Sequence, residues 1–219
     1  MLDRYGPQHW WPAETPFEVM VGAILTQASA WDNVEKAIAN LKSAGVMSPP
    51  ALRALAEEEL ARLVYPSGYY NAKARKLRAL AEYLGARFND DIDSMARVGA
   101  DPLRVELLSV HGIGEETADD ILLYAVGVPV FVVDSYTRRV LFRLGLAPEK
   151  GPYALYQGLF TRHLRPDPGR FGEYHALIDR HAKDVCKKRP RCRGCCLLEI
   201  CPTGKANVAS GPSPLESGS

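Results

Sequence analysis

The chain has 219 residues, of which 47% are apolar and 24% are charged, and its formal net charge is +1. This composition favours a folded protein of one large or two modest units, without a membrane-spanning segment. So small a net charge does not by itself indicate a nucleic-acid partner, and the opening residues MLDR predict no signal peptide.

Helical periodicity dominates the first half of the chain. Apolar residues at helical spacing predict helices over Phe17–Thr26, Trp31–Ala44, Ser48–Leu63 and Ala72–Phe88. All three tryptophans precede or open these helices: Trp10 and Trp11 lie in an N-terminal arm, and Trp31 follows the segment LTQASA. They are either core residues or aromatic faces on which a ligand can stack.

A pair of glycines then separates two further predicted helices. Pro102–Val110 has helical spacing, Gly112 and Gly114 interrupt it, and a second helix begins at Glu115. Glycines let the backbone turn tightly, and the unpaired N–H groups at the start of the second helix favour an anion such as a nucleic-acid phosphate. The same pattern is also compatible with an ordinary corner between two helices.

One carboxylate follows this hairpin at a distance of about twenty residues. Asp134 ends the segment PVFVVD, which is too short for a persistent strand, and precedes the helical pattern SYTRRVLFRL. The residue is therefore a candidate N-cap, a candidate catalytic carboxylate, or both. With no alternating strand pattern in the chain, the sequence predicts an all-α protein.

The five cysteines fall within sixteen positions near the C-terminus. Four of them have the spacing Cys186-x5-Cys192-x2-Cys195-x5-Cys201, and Cys196 is an additional neighbour. A chain long enough to form an ordinary core does not need a disulfide framework, so the spacing favours a metal centre. Zinc and an iron–sulfur cluster both accept four cysteines, and the single close pair favours iron–sulfur only modestly.

Basic residues are concentrated around the cysteines. Residues 161–205 contain eleven Lys and Arg against five Asp and Glu. The surplus is centred on Lys187, Lys188, Arg189, Arg191 and Arg193, which a metal-pinned loop could present to DNA phosphates. Lys73 and Lys76, in the segment YYNAKARK, are predicted to lie on a solvated face.

In their order, these features resemble the helix–hairpin–helix DNA glycosylases of the endonuclease III superfamily. The resemblance runs from about Phe17 to Cys201 and includes FEVMVGAILTQAS, GYYNAKARKL, HGIGEETA, VVDSY and the cysteine array. It implies a two-lobed, all-α fold whose C-terminal loop holds a 4Fe–4S cluster through Cys186, Cys192, Cys195 and Cys201. The first arm of the array is one residue shorter than is usual in the family.

The resemblance also implies a domain organisation. We expect a six-helix domain over residues 16–128 that contains the hairpin, and a second helical domain formed by residues 1–15 and 129–205. DNA would lie in a cleft between the two lobes, with Asp134 and the hairpin at its mouth. The tail, residues 206–219, is rich in Ser, Gly and Pro and is predicted to be disordered.

One residue of the hairpin motif differs from the pattern of the bifunctional family members, and this difference limits the reactions that we expect. Bifunctional members of the family carry a nucleophilic lysine two residues after the second glycine, where this chain has Glu116. A carboxylate cannot form a Schiff base, so cleavage of the strand by that route should be lost. The resemblance therefore implies a monofunctional enzyme in which Asp134 stabilises an oxocarbenium-like sugar or orients the attacking water.

The aromatic residues point to one branch of the family. The motif WWP followed by LTQ-x3-aromatic resembles the 3-methyladenine DNA glycosylases, in which aromatic side chains line the base pocket and a glutamate replaces the lysine. Trp11 and Trp31, with Trp10, are therefore predicted to line a pocket that stacks on a flipped, methylated purine. Glu116 either faces that pocket or interacts with the helix dipole. Gln27 either fills the gap left by the flipped nucleotide or caps the helix before it.

The predicted partner is double-stranded DNA containing damaged bases, bound by a monomer in the cytoplasm at the nucleoid. Gln27, Gly112 and Gly114 are expected to contact DNA, together with Lys187, Lys188, Arg189 and Arg191. Two alternatives remain open on sequence alone. One is a glycosylase for oxidised pyrimidines or mismatched bases, and the other is a non-catalytic iron–sulfur protein that binds DNA or senses redox state.

Overall fold

The computed structural model describes residues 1–210, and most of these residues are helical. Its α-helices are α1 (Leu2–Tyr5), α2 (Pro16–Leu25), α3 (Trp31–Ser43), α4 (Pro49–Ala54), α5 (Glu57–Leu63), α6 (Tyr70–Phe88), α7 (Ala100–Ser109), α8 (Glu115–Asp120), α9 (Ser135–Arg143), α10 (Tyr153–Thr161), α11 (Pro168–Asp184) and α12 (Pro202–Ala209). A π-helical turn, Ile121–Val126, continues α8. Within residues 1–210 there is no β-strand, which confirms the all-α prediction, and no helix is long and apolar enough to cross a membrane.

These helices form two compact units. Among the described residues, one unit consists of residues 11–130, and the other combines residues 1–10 with residues 131–210. The sequence prediction set the bounds of the first unit at residues 16 and 128. In the structure the boundary on the N-terminal side falls between Trp10 and Trp11, so these neighbouring tryptophans belong to different units.

Helix α2 is the centre of the unit formed by residues 11–130. Thr15 caps its N-terminus, where the threonine hydroxyl accepts a hydrogen bond from the Glu18 N–H, and Pro16 occupies the first turn. Every residue from Phe17 to Leu25 is buried. A helix that is apolar on all sides needs neighbours on all sides, and α2 packs against α3, α6, α8 and the π-helical turn.

The prediction of one continuous helix over residues 48–63 is wrong. The structure breaks it into α4 and α5, because Leu55 and Ala56 have extended backbone with ψ of 147°. The Leu55 carbonyl accepts a hydrogen bond from Arg78 Nη1 at 2.9 Å instead of continuing the helix. Both short helices pack against α6, and this tertiary contact outweighs the local periodicity.

Aromatic packing organises the unit that contains residues 131 onward. Phe131 is fully buried, stacks on Phe160 with a centroid distance of 3.5 Å, and meets Phe171 edge-on. Helices α9 and α11 pack against each other. Helix α9 therefore has a fixed position, with Asp134 at its N-terminus and Arg143 at its C-terminal end.

The predicted disordered tail begins too early. Residues 206–209 belong to α12, whose N-terminus is capped by Cys201: the Cys201 sulfur accepts a hydrogen bond from the Gly204 N–H at 3.2 Å. Residues 211–219, the remainder of the predicted tail, lie outside the described residues.

The prediction that Lys73 lies on a solvated face is also wrong. Its side chain is 1% exposed, and its ammonium group donates to the carbonyl oxygens of Leu25 and Ser67, each at 2.7 Å. Burial, together with the charge of nearby Lys76, lowers the pKa of Lys73 to about 8. This lysine ties α6 to the end of α2 and to the turn at Ser67.

Lys73 should make stability depend on pH in a specific window. Above pH 8 the folded state loses a proton that the unfolded chain keeps until about pH 10.4, so the free energy of unfolding rises with pH between these values. We expect it to rise by about 2 kcal/mol more in wild type than in Lys73→Met between pH 7.5 and 9.5. Urea titrations would measure this, with exposed Lys150→Met as the control. If the free energy of unfolding changed with pH in the same way in wild type and in Lys73→Met, the lowered pKa of Lys73 would be contradicted.

Candidate active site and cysteine cavity

The hairpin between α7 and α8 depends on Gly112. Its φ of +83° lies in the left-handed region, and a Cβ at this position would overlap the Lys76 side chain. Gly114 has extended backbone and is the N-cap of α8. Glu115 and Glu116, in the first turn of α8, are exposed, and the first N–H groups of a helix have no acceptor within the helix itself.

Gln27 holds the hairpin from the end of α2. Its amide nitrogen donates to the Gly112 carbonyl at 3.1 Å and to the Thr117 hydroxyl at 2.9 Å, while its amide oxygen accepts from the Lys76 ammonium group. The side chain therefore bonds to the hairpin and is not used to cap α2, whose C-cap is Thr26. The structure thus brings Gln27 and Gly112 together.

An ion pair joins the two helices of the hairpin. Arg104 of α7 donates two hydrogen bonds to the carboxylate of Asp119 in α8, at 2.6 and 3.2 Å. The Asp119 side chain is fully buried, and Arg104 also lies 3.8 Å from the Glu115 carboxylate. A paired, bidentate geometry is what allows a carboxylate to be buried here.

Three aromatic side chains of the same unit form a cluster. Trp11 meets Trp31 edge-on at a centroid distance of 5.8 Å, and it meets Tyr124 at 5.4 Å with a 57° tilt. Both tryptophans are partly exposed. Sequence reasoning missed Tyr124, although an aromatic residue in the second hairpin helix, seven positions after the buried Thr117, was a usable signal.

The Trp11 ring packs against Gly22 of α2. A Cβ built on Gly22 would lie 3.1 Å from Cζ2 and 3.2 Å from Nε1 of the Trp11 indole. The ring therefore lies almost directly on the backbone of α2. Trp10, by contrast, lies in the other unit, where it stacks on His175 with a centroid distance of 5.4 Å and a 22° interplanar angle.

Asp134 is the N-cap of α9. Its Oδ1 accepts a hydrogen bond from the Thr137 N–H at 2.6 Å, and its side chain is 14% exposed. Its Oδ2 faces Nε2 of His175 at 3.9 Å. The cap fixes the carboxylate without neutralising its charge, so the capping and catalytic interpretations of Asp134 are compatible.

Glu116 stands in the exposed first turn of α8. The position to which the resemblance assigns a nucleophilic lysine is therefore an exposed carboxylate. In this location the acid is favoured by the helix dipole. An accessible carboxylate here can also attract a cationic ligand.

Four of the five cysteines line a single cavity. Cys186, Cys192, Cys195 and Cys201 surround it, together with side chains of α9, α11 and α12. Cys196 is exposed and is not part of the lining. Within residues 1–210 no group of three or more His, Cys, Asp or Glu side chains is placed to hold a metal ion. The four sulfurs thus surround a space and do not converge on one point.

Each of these sulfurs accepts a hydrogen bond from an N–H group. The donors are Arg143 Nη1 to Cys186 at 3.2 Å, Asn207 Nδ2 to Cys192 at 3.5 Å, the Leu197 amide to Cys195 at 3.4 Å, and the Gly204 amide to Cys201 at 3.2 Å. Such donors stabilise sulfur in its anionic form. The set of contacts suits four thiolates that share one centre.

The basic residues of the cysteine loop are exposed. Arg143 donates to the carbonyls of Lys187 and Lys188 at 2.6 and 3.1 Å, and Arg139 donates to the Cys186 carbonyl at 2.9 Å. Helix α9 thereby holds the backbone of the loop. The exposed cations are Lys187, Lys188, Arg189, Arg191 and Arg193.

Comparison with known sequences identifies relatives along most of the chain. The family model described as HhH-GPD superfamily base excision DNA repair protein matches residues 21–162. A Methanocaldococcus jannaschii protein assigned as a DNA repair glycosylase is 44% identical over 203 residues, which is 92% of each chain. Endonuclease III of Treponema pallidum is 31% identical and covers 90% of this chain and 86% of its own.

Solved structures with the same fold include one with a damaged base. An endonuclease III–DNA complex superposes with a TM-score of 0.81 at 23% identity, covering 95% of this chain and 93% of its own, and shows the shared fold. A 3-methyladenine DNA glycosylase of H. pylori, bound to 1,N6-ethenoadenine, superposes with a TM-score of 0.71 at 30% identity. It covers 83% of this chain and 91% of its own.

Proposed function

This chain belongs to the HhH-GPD superfamily of base excision DNA repair proteins and is a DNA glycosylase, and on that premise we propose that it acts on alkylated purines such as 3-methyladenine. It hydrolyses the N-glycosidic bond and leaves an abasic site with the strand intact. The observation that carries this proposal is the cluster of Trp11, Trp31 and Tyr124, which offers aromatic faces to a flipped base.

Aromatic faces select for the charge of the base. Stacking grips any flipped base, but a purine made cationic by methylation gains a further 0.5–2 kcal/mol, roughly, from cation–π attraction. The carboxylate of Glu116, exposed at the start of α8, adds an electrostatic preference for a cation. The similarity to the H. pylori 3-methyladenine DNA glycosylase supports the same substrate class.

The proposed mechanism needs one carboxylate and one water. A methylated purine is already a good leaving group, so it needs little acid catalysis, and positive charge develops on the sugar as the bond breaks. Asp134, held by the Thr137 N–H, stabilises that charge and orients the attacking water. Since Glu116 stands in place of the nucleophilic lysine, a Schiff base cannot form there and the strand is left uncleaved.

DNA binding uses both units. The N-terminus of α8 and the glycines at 112 and 114 suit a backbone phosphate, while the exposed cations from Lys187 to Arg193 suit others. Gln27 is proposed to fill the gap left by the flipped nucleotide. To do so its amide exchanges the bonds to Gly112 and Thr117 for bonds to the orphaned base, which can both donate and accept.

The cysteine cavity fits a 4Fe–4S cluster. Cys186, Cys192, Cys195 and Cys201 would hold it, because they line one space and each sulfur receives an N–H donor. Cysteines that surround a space match the corners of a polynuclear cluster better than the single point of a zinc ion. A bound cluster supplies a rigid, electron-transferring centre, and the chain's own contribution is to present five cations on the loop that it pins.

A panel of duplexes tests the substrate assignment. Each duplex carries a methylated purine, an oxidised pyrimidine or a mismatched thymine, and the released free base is measured. Release of 3-methyladenine at least about 100-fold faster than the others, equivalent to roughly 2.7 kcal/mol, supports the proposal. Faster release of an oxidised or mismatched base would replace it with a different glycosylase, and tight binding with no release would leave a non-catalytic DNA-binding protein.

Gly22→Ala tests the role of the aromatic cluster. The added Cβ forces the Trp11 indole to move by a few tenths of an ångström, and we expect 3-methyladenine release to slow about tenfold. The free energy of unfolding is measured in parallel, because a gain in helix propensity of about 0.5–1 kcal/mol opposes the cost of displacing the ring. Gly169→Ala is the control, because its Cβ would make only an ordinary 3.5 Å contact. Equal rates of 3-methyladenine release by the two variants would contradict the assignment of Trp11 to the base pocket.

A further inference from the structure

The two oxygens of the Asp134 carboxylate have different surroundings. Oδ1 is committed to the cap of α9 through the 2.6 Å bond from the Thr137 N–H. Oδ2 carries no part of that cap and faces Nε2 of His175 at 3.9 Å. Oδ2 is therefore the oxygen that can act on the sugar, and the group that faces Oδ2 determines the direction in which this oxygen is oriented.

His175 is seated firmly in its own unit. It lies on α11, which packs against α9, and only 4% of it is exposed. The Trp10 indole covers the imidazole almost in parallel, with a centroid distance of 5.4 Å. Trp10, one of the three tryptophans of the chain, is thereby committed to packing on this histidine.

The charged groups around His175 come from both helices. Asp134 faces it from α9, while Asp179 and Lys183 face it from α11. Lys183 is paired with Asp179 at 2.8 Å and lies over the rings of Trp10 and Tyr136, at 5.9 and 5.6 Å from their centroids. The charge of Lys183 is thus paired with that of Asp179.

Burial sets the charge of the imidazole. Desolvation lowers the pKa of His175, although the two carboxylates act in the opposite direction. At neutral pH the ring is therefore uncharged, and it can donate one N–H towards Oδ2 without cancelling the negative charge. The separation of 3.9 Å is longer than a hydrogen bond, and catalytic hydrogen bonds are often long in structures without substrate.

We propose that His175 is a positioning residue that aims Oδ2 of Asp134 at the developing charge on the sugar, and that Trp10 fixes the imidazole in this role. The inference rests on the proposed function in assigning the chemistry to Asp134. It gives Trp10 a place beside the carboxylate and assigns the grip on the base to Trp11, Trp31 and Tyr124.

Single-turnover kinetics on a 3-methyladenine duplex test the role of His175. His175→Phe keeps a ring against Trp10 but has no N–H, and we expect the rate at saturating enzyme to fall about 100-fold with less than a threefold change in the Kd for DNA. His175→Gln restores a donor near the Nε2 position and should stay within tenfold of wild type. His163→Phe, at an exposed histidine, is the control.

The acid side of the pH profile provides a readout that packing alone would not change. Protonation of His175 at low pH places a cation against Asp134 and weakens the stabilisation that Asp134 gives to the sugar. The fall of the wild-type rate at low pH therefore includes the protonation of His175. In His175→Gln the acid limb should move to lower pH, and this readout stands even if His175→Phe does not fold.

Three results would overturn the role of His175. They are a rate for His175→Phe within threefold of wild type, equal losses in the Phe and Gln variants, and an unchanged acid limb in His175→Gln. Failure of the wild-type protein to release any methylated base would be a separate result, because it would contradict the proposed function itself.

Discussion

Asp134→Asn is expected to slow release of 3-methyladenine by at least about 10³-fold, which corresponds to roughly 4 kcal/mol of transition-state stabilisation. The amide has nearly the same shape but carries no negative charge to place against the sugar cation. Asparagine caps a helix as well as aspartate does, so α9 and the loop that it holds should remain intact. The rate would be measured in single turnover, with Kd and the free energy of unfolding measured in parallel.

The matched control for this substitution is Asp167→Asn. Asp167 caps α11 in the same way, with its carboxylate accepting from the Arg170 N–H at 2.6 Å, but it is exposed. Its substitution should leave base release unchanged. If Asp134→Asn retained activity within tenfold of wild type, Asp134 would be a cap alone and another group would have to stabilise the sugar.

Cys192→Ser is expected to remove the proposed cluster and to weaken DNA binding. Purified under anaerobic conditions, the wild-type protein should contain iron and acid-labile sulfide in equal amounts, about four of each per chain. The variant should contain less than one of each, because a serine at the cavity replaces one of the four thiolate ligands. Iron, sulfide and zinc would be determined on the same samples.

Loss of the cluster should also be visible in DNA affinity. Without the centre that pins it, the loop from Lys187 to Arg193 pays an ordering cost on binding, and we expect Kd to rise at least about tenfold with a shallower salt dependence. Cys196→Ser is the control, since Cys196 is exposed and lies outside the cavity lining. Zinc without sulfide in the wild-type protein would contradict the cluster assignment.

Local sequence signals were sufficient where function depends on neighbours along the chain. Gly112 marks the turn because few residues other than glycine accept its positive φ, and the four cysteines that share the cavity stand within sixteen positions. Asp134 was recognisable because a carboxylate directly before a helix is a cap whatever else it does. These features need no knowledge of the tertiary packing.

Three features that sequence reasoning missed depend on distant partners. Lys73 has the spacing of a surface residue, but the carbonyls of Leu25 and Ser67 draw it into the core. A lone histidine such as His175 gives no sign of the carboxylate that it faces, because Asp134 is 41 positions away. The break at Leu55 likewise follows from Arg78, which binds its carbonyl.

The most direct test of the central proposal is the fate of a duplex that carries one 3-methyladenine. The free base and the labelled strand are analysed together, with and without alkali, and borohydride is added in parallel to trap any Schiff base. The proposal predicts free 3-methyladenine, strand breaks only after alkali, and no covalent protein–DNA adduct. Strand breaks without alkali, or a trapped adduct, would contradict it and would mean that another amine has taken the role that Glu116 cannot perform.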